Sequence, residues 1–162
     1  MTVLGLGIDV VDIAAFGEQL ADPASGFVAG TFTAAECAAA AAGAGADATH
    51  LAARFAVKEA FVKAWSSARI GQQPALATPM LDLRDIELGA DAHGRPVLYL
   101  HGAVREAVAS LLDSAPTPAN LLVSLSHDGP VATAVVLLQR RLTVAPAPAA
   151  DAPIPAPEET TP

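Results

Sequence analysis

The chain has 162 residues, of which 52% are hydrophobic and only 4% aromatic, and a formal net charge of -8 at pH 7. That length suits one compact domain built from small, closely packed side chains, and the acidic balance argues against a nucleic-acid partner, which needs a basic face. No apolar run reaches the roughly 18 residues of a membrane helix, and MTVLGLGIDVVD carries acids where a secretory signal opens with bases, so no membrane partner and a cytoplasmic location are expected.

The opening VLGLGIDVV is an apolar run rich in strand formers. Period-2 alternation puts Val3, Gly5, Gly7 and Asp9 on one face and Leu4, Leu6, Ile8 and Val10 on the other. Asp12 is placed to cap a short helix over Ile13 to Leu20, and Thr33 with Glu36 has the spacing of a capping box for the next. Between Ala38 and Ala48 every residue is small, which predicts a helix ended by Gly43 and Gly45 and then a flexible loop. Cys37 has no disulfide partner in the chain and no companions at zinc spacing, and fits a small buried residue in a reducing compartment.

The longest helical pattern runs from about His50 to Ser66 without proline or glycine. Arg84 to Leu88 and Pro96 to Leu100 are expected as strands around the turn residues Asp91 to Gly94, and Gly102 to Leu112 as a helix. LLVSLSH and VATAVVLL flank Asp128-Gly129, a strong hairpin signal. Residues 1–142 therefore form an α+β domain with a mainly antiparallel sheet packed against a long central helix. Residues 143–162 are a tail rich in proline and alanine, which holds three of the acids and too little apolar bulk to fold, and is expected to be disordered.

Asp9 interrupts an apolar strand, and Gly5 and Gly7 beside it leave room for something to approach the sheet. A buried lone carboxylate is costly without a partner, so a cation is one reading and a capping role at the strand end is the other. On the long helix a 100° projection groups Ala52, Ala56, Glu59 and Lys63 in one sector, either as working charges on an alanine floor or as a solvated i,i+4 pair. Arg54 and Lys58 point the other way, near Phe61 and Trp65, to meet a phosphate or an adenine or simply to snorkel from a packed face. Ser124 and Ser126 share a strand face, and His127 ends the strand either near a phosphate or as an ordinary surface histidine. No serine has the strand-turn-helix elbow of a hydrolase, and Gly5-Leu6-Gly7 lacks the full dinucleotide fingerprint.

Taken together, GLGIDVVDI at Gly5 to Ile13, FTAAE at Phe32 to Glu36, LAARFAVKEAFVKAW at Leu51 to Trp65, GRP at Gly94 to Pro96 and SLSHDG at Ser124 to Gly129 resemble the holo-acyl-carrier-protein synthase family of phosphopantetheinyl transferases. The ordered set covers about the first 140 residues. The resemblance implies the 4'-phosphopantetheinyl transferase fold and transfer of 4'-phosphopantetheine from coenzyme A, the co-substrate, to a serine of an apo-acyl carrier protein for fatty acid synthesis. It implies that Asp9 and Glu59 hold magnesium and that Lys63 lies beside the coenzyme A diphosphate, these three forming the catalytic set. Arg54, Gly94, Arg95, Pro96, Ser126 and His127 would contact coenzyme A, and the sites would lie at the interfaces of a homotrimer. The helix IAAFGEQL lacks the arginines that often meet the carrier in this family, leaving Arg69, or Phe16 and Phe27, as candidate docking residues. Two alternatives stay open: the same chemistry on a polyketide or peptidyl carrier, and a non-catalytic trimer that binds coenzyme A or a carrier.

Overall fold

The computed structural model describes residues 1–22, 24–43, 47–73 and 81–140, and the expected tail at residues 143–162 lies outside them. In chain order the elements are β1 (Thr2–Asp12), α1 (Ile13–Leu20), α2 (Phe27–Thr31), α3 (Ala34–Ala42), α4 (Asp47–Ser67), β2 (Ile86–Ala90), β3 (Pro96–Leu100), α5 (Gly102–Leu112), β4 (Leu121–Asp128) and β5 (Val131–Arg140). Short 3-10 turns at Leu83–Asp85 and Pro118–Asn120 lead into β2 and β4.

Local signals fix several of these boundaries. Asp12 accepts the amide of Ala15 at 2.9 Å to start α1, and Thr33 and Glu36 close a reciprocal capping box at the head of α3. At Gly43 helix α3 ends; residues 44–46 of the expected loop lie outside the described ones. The β2–β3 turn passes through Gly94 at φ 77°, where a residue with a Cβ would be strained.

Two antiparallel sheets result, a three-stranded one in the order β1-β5-β4 and a ribbon of β2 and β3 that lies alongside β4. α4 lies across β1 and β5 and is the axis of the core. Its Ala52, Ala56, Ala60 and Ala64 are fully buried, and this run of single methyl groups lets helix and sheet approach closely. A methyl group on Gly7 would stand 2.0 Å from the carbonyl oxygen of Ala60, and one on Gly5 equally close to that of Ala64. The room beside Gly5 and Gly7 is thus taken by the backbone of α4, which corrects the reading of that space as an approach for a cation. Ser67, at the end of the helix, accepts the amide of Leu6 at 3.1 Å and so satisfies a donor on the free edge of β1.

The strand therefore turns its glycine face inward. Leu6, Ile8 and Val10 point away from the helix with about 57–60% of their surfaces exposed. Along this outer face Ile8 stands opposite Val135, and Leu6 opposite Leu137, which in turn faces Leu122. At the start of β1 a bulge between Val3 and Gly5 shifts the alternation, leaving Val3 exposed and Leu4 partly buried, the reverse of simple period-2 counting.

Lys58 is the second departure from expectation. It is wholly buried, ion-paired to the equally buried Glu36 at 2.8 Å, and donates further to the carbonyls of Leu83, at 2.9 Å, and Ile86. Its aromatic neighbour is Phe32, with the ammonium 5.6 Å from the ring centre. Glu36 also accepts the amides of Thr33 and Leu88, so one buried carboxylate joins α3, α4 and β2. Breaking such a pair from one side typically costs about 3–5 kcal/mol.

Gly7→Ala is expected to destabilise the fold by about 3 kcal/mol or more, because neither the helix nor the strand backbone can move aside cheaply. Urea unfolding checks this against Gly17→Ala, whose added methyl meets only Ala48 Cβ at 3.7 Å and which should be neutral or stabilising.

Candidate active site

Asp9 lies two residues beyond Gly7 on the inward face of β1. α4 runs antiparallel to the strand, Ala64 over Gly5 and Ala60 over Gly7, so the turn before Ala60 comes to lie over Asp9. This delivers Glu59 to the same cleft, an open depression of about 480 Å³ walled also by Val10, Ala15, Phe16, Gln19 and Phe55. One helical turn further on, Lys63 donates to Asp9 Oδ1 at 2.6 Å, its side chain 52% exposed against 14% for Asp9. The three residues proposed from sequence as a catalytic set thus form one cluster.

The electrostatics show an excess of negative charge. The Glu59 carboxyl is pushed above the usual glutamate range, first by burial and then by the charge of Asp9, with Lys63 opposing. Lys63 is held above its usual range mainly by the hydrogen bond to Asp9. No described residue donates a hydrogen bond to Glu59, and no set of three or more potential metal ligands is found among the described residues. Two hard carboxylate oxygens with free coordination directions suit a cation such as magnesium, which keeps water and phosphate oxygens in its remaining positions.

The other sequence candidates fall into two further groups. Arg54 lies about 7.5 Å along the helix axis from Glu59. It donates from Nη1 to the carbonyl of His50 at 3.0 Å, and its buried Nε has no acceptor. Burial pulls its guanidinium below the ordinary range, with Glu36 partly restoring it. His127, exposed near the end of β4, meets the ring of His50 edge to face with centroids 6.3 Å apart. Arg54 and His127 are therefore linked through His50, which sequence reasoning passed over although it stands four residues before Arg54 on the same helix face. Ser126 is exposed on the outer sheet face, across from Thr133.

Gly94, Arg95 and Pro96 form the exposed β2–β3 turn, where Arg95 pairs with Asp91 at 2.6 Å. No contact described for this turn joins it to the Asp9 cleft of its own chain. The candidate docking residues also change character. Phe16 is buried and Phe27 partly so, packed mostly edge to face with Phe32 and Phe55 in an aromatic cluster, so Phe16 and Phe27 serve the core. Arg69 is half-buried and donates to the carbonyl of Gln73 at 3.0 Å.

The fold and this cleft together define a class. The chain belongs to the 4'-phosphopantetheinyl transferase superfamily, whose family model matches residues 5–133. Within it the similarity is to holo-[acyl-carrier-protein] synthases. Those of Mycobacterium tuberculosis and Mycobacterium leprae are 42% and 41% identical over 139 residues, 86% of this chain and 98% of each relative. Among solved structures, a Chronobacterium ammoniagenes ACPS–CoA complex matches with TM-score 0.75 at 38% identity, over 85% of this chain and 98% of that one. The acyl carrier protein synthase of Mycobacterium tuberculosis matches with TM-score 0.61 at 38% identity, over 86% and 99% of the two chains.

A glutamate whose proton is held more tightly in the folded than in the unfolded chain costs stability as pH rises through its range. Glu59→Gln should therefore raise the melting temperature at pH 7 by about 1–2 °C and have no such effect near the ordinary glutamate pKa of about 4. Thermal melts at the two pH values check it, and a lower melting temperature at pH 7 contradicts it.

Proposed function

We propose that this chain transfers the 4'-phosphopantetheine group of coenzyme A to a serine of an apo-acyl carrier protein, releasing 3',5'-ADP, with magnesium as the metal and the cytoplasm as the compartment. The observation that carries the reading is the meeting of Asp9 and Glu59 in one cleft, with Lys63 hydrogen-bonded to Asp9, in a chain similar to holo-[acyl-carrier-protein] synthases over nearly their whole length. Free Cys37 fits a reducing compartment.

In this reading Asp9 and Glu59 hold the magnesium. Held there, the ion would supply positive charge against the diphosphate and the phosphorus under attack. Lys63 stabilises charge on the departing 3',5'-ADP. Glu59 is placed to take the serine proton. Arg54 carries an unused buried donor and, with Ser126 and His127, contacts coenzyme A. The Gly94-Arg95-Pro96 turn contributes from a neighbouring subunit, which accords with its separation from the cleft of its own chain.

That last assignment requires an oligomer, and the outer sheet face supports one. Leu6, Ile8, Val10, Leu122 and Val135 make an apolar surface of a kind soluble monomers seldom leave open. Two further copies of this chain cover it in a homotrimer. The carrier docks without arginines from α1, whose sequence IAAFGEQL contains no base. This absence favours testing a second acceptor class, a peptidyl or polyketide carrier, beside the acyl carrier.

Incubation with coenzyme A, magnesium and each apo carrier, followed by mass spectrometry of the carrier, should show an increment of one phosphopantetheine. Asp9→Ala and Glu59→Ala should each lower turnover by roughly 100-fold or more while leaving the far-UV circular dichroism unchanged. Near-normal turnover of either variant would remove the metal assignment. Ile8→Glu should convert a species of three chains into single chains in light scattering, whereas a monomeric parent protein would exclude the trimer.

A further inference from the structure

Asp9 is already engaged by an ammonium of its own chain. Lys63 Nζ lies 2.6 Å from Oδ1, in the cleft where Glu59 supplies the second carboxylate. The charge of Asp9 is felt at Glu59, and Lys63 opposes it in the free protein. Its side chain is half exposed and its stem is anchored four residues beyond Glu59, so the ammonium is free to swing toward the mouth of the cleft at little cost.

We infer that Lys63 is a resident counter-ion: it holds Asp9 until a divalent cation arrives with a diphosphate that gives the ammonium a second anion to pair with. The inference rests on the proposed metal site. A cation binding to Asp9 alone must evict the ammonium and leave it facing a like charge with no partner. A cation arriving with a diphosphate removes that penalty, because the displaced Lys63 pairs with the phosphate oxygens. Cation and diphosphate therefore assist one another by the same factor in each direction. The bare cleft takes up free cations weakly and becomes complete only when coenzyme A is present. Glu59, which accepts no hydrogen bond from a described residue, remains the carboxylate that an incoming cation meets first.

Manganese, followed by the electron paramagnetic resonance of its free ion, tests this without turnover. Removing the resident charge with Lys63→Met should tighten manganese binding to the coenzyme-free protein about fivefold. It should also reduce the enhancement that coenzyme A gives. Lys63→Gln guards against an effect of the apolar replacement, and thermal melts confirm folding of both variants. Unchanged or weaker manganese binding by both variants, with Asp9-dependent binding intact in the parent protein, overturns the counter-ion role alone. If the parent protein binds manganese no better than Asp9→Asn, with or without coenzyme A, the metal site itself is wrong and this inference falls with it.

Discussion

Two missing side chains set the geometry of this molecule. Because Gly5 and Gly7 have no Cβ, the carbonyl oxygens of Ala64 and Ala60 rest directly on β1, at a distance that any side chain would prevent. The contact fixes both the register and the spacing of α4 against the strand, and from that spacing alone Glu59 comes to share a cleft with Asp9. It also turns Leu6, Ile8 and Val10 outward, so the requirement that builds the cleft leaves an apolar sheet face to be covered. The cleft and the exposed apolar face are thus two outcomes of one backbone contact.

Much of the fold was legible because its signals are local. The caps at Asp12 and at Thr33 with Glu36, the turn at Gly94 and the hairpin at Asp128-Gly129 each act within a few residues, and the structure places each as expected. Period-2 alternation separated the two faces of β1 correctly beyond the bulge. It could not say which face turns inward, since hydrophobicity favours the leucine face and only the close approach of α4 reverses that preference. The five-residue α2 is too short to show a helical period.

The cluster of Asp9, Glu59 and Lys63 was partly legible, since an i,i+4 pair on a run of alanines and an acid inside an apolar strand are both visible in one dimension. Their meeting was not, because it joins positions 54 residues apart. The burial of Lys58 was hidden for the same reason. Its partner Glu36 is 22 residues away, and its carbonyl acceptors follow a further stretch of chain. In sequence the two lysines of this helix look alike, and tertiary structure separates them into a sealed ion pair and an open one beside the cleft.

That separation gives the protein a chemical handle. Lys58 and Lys63 are the only lysines in the chain, and the first is shut away from solvent while the second stands half in it. Besides the exposed α-amine of Met1, an amine-directed label applied to the folded protein thus has a single ε-amino group to find, at the mouth of the cleft. Protection from the label would in turn report occupancy without any need for a carrier or a product.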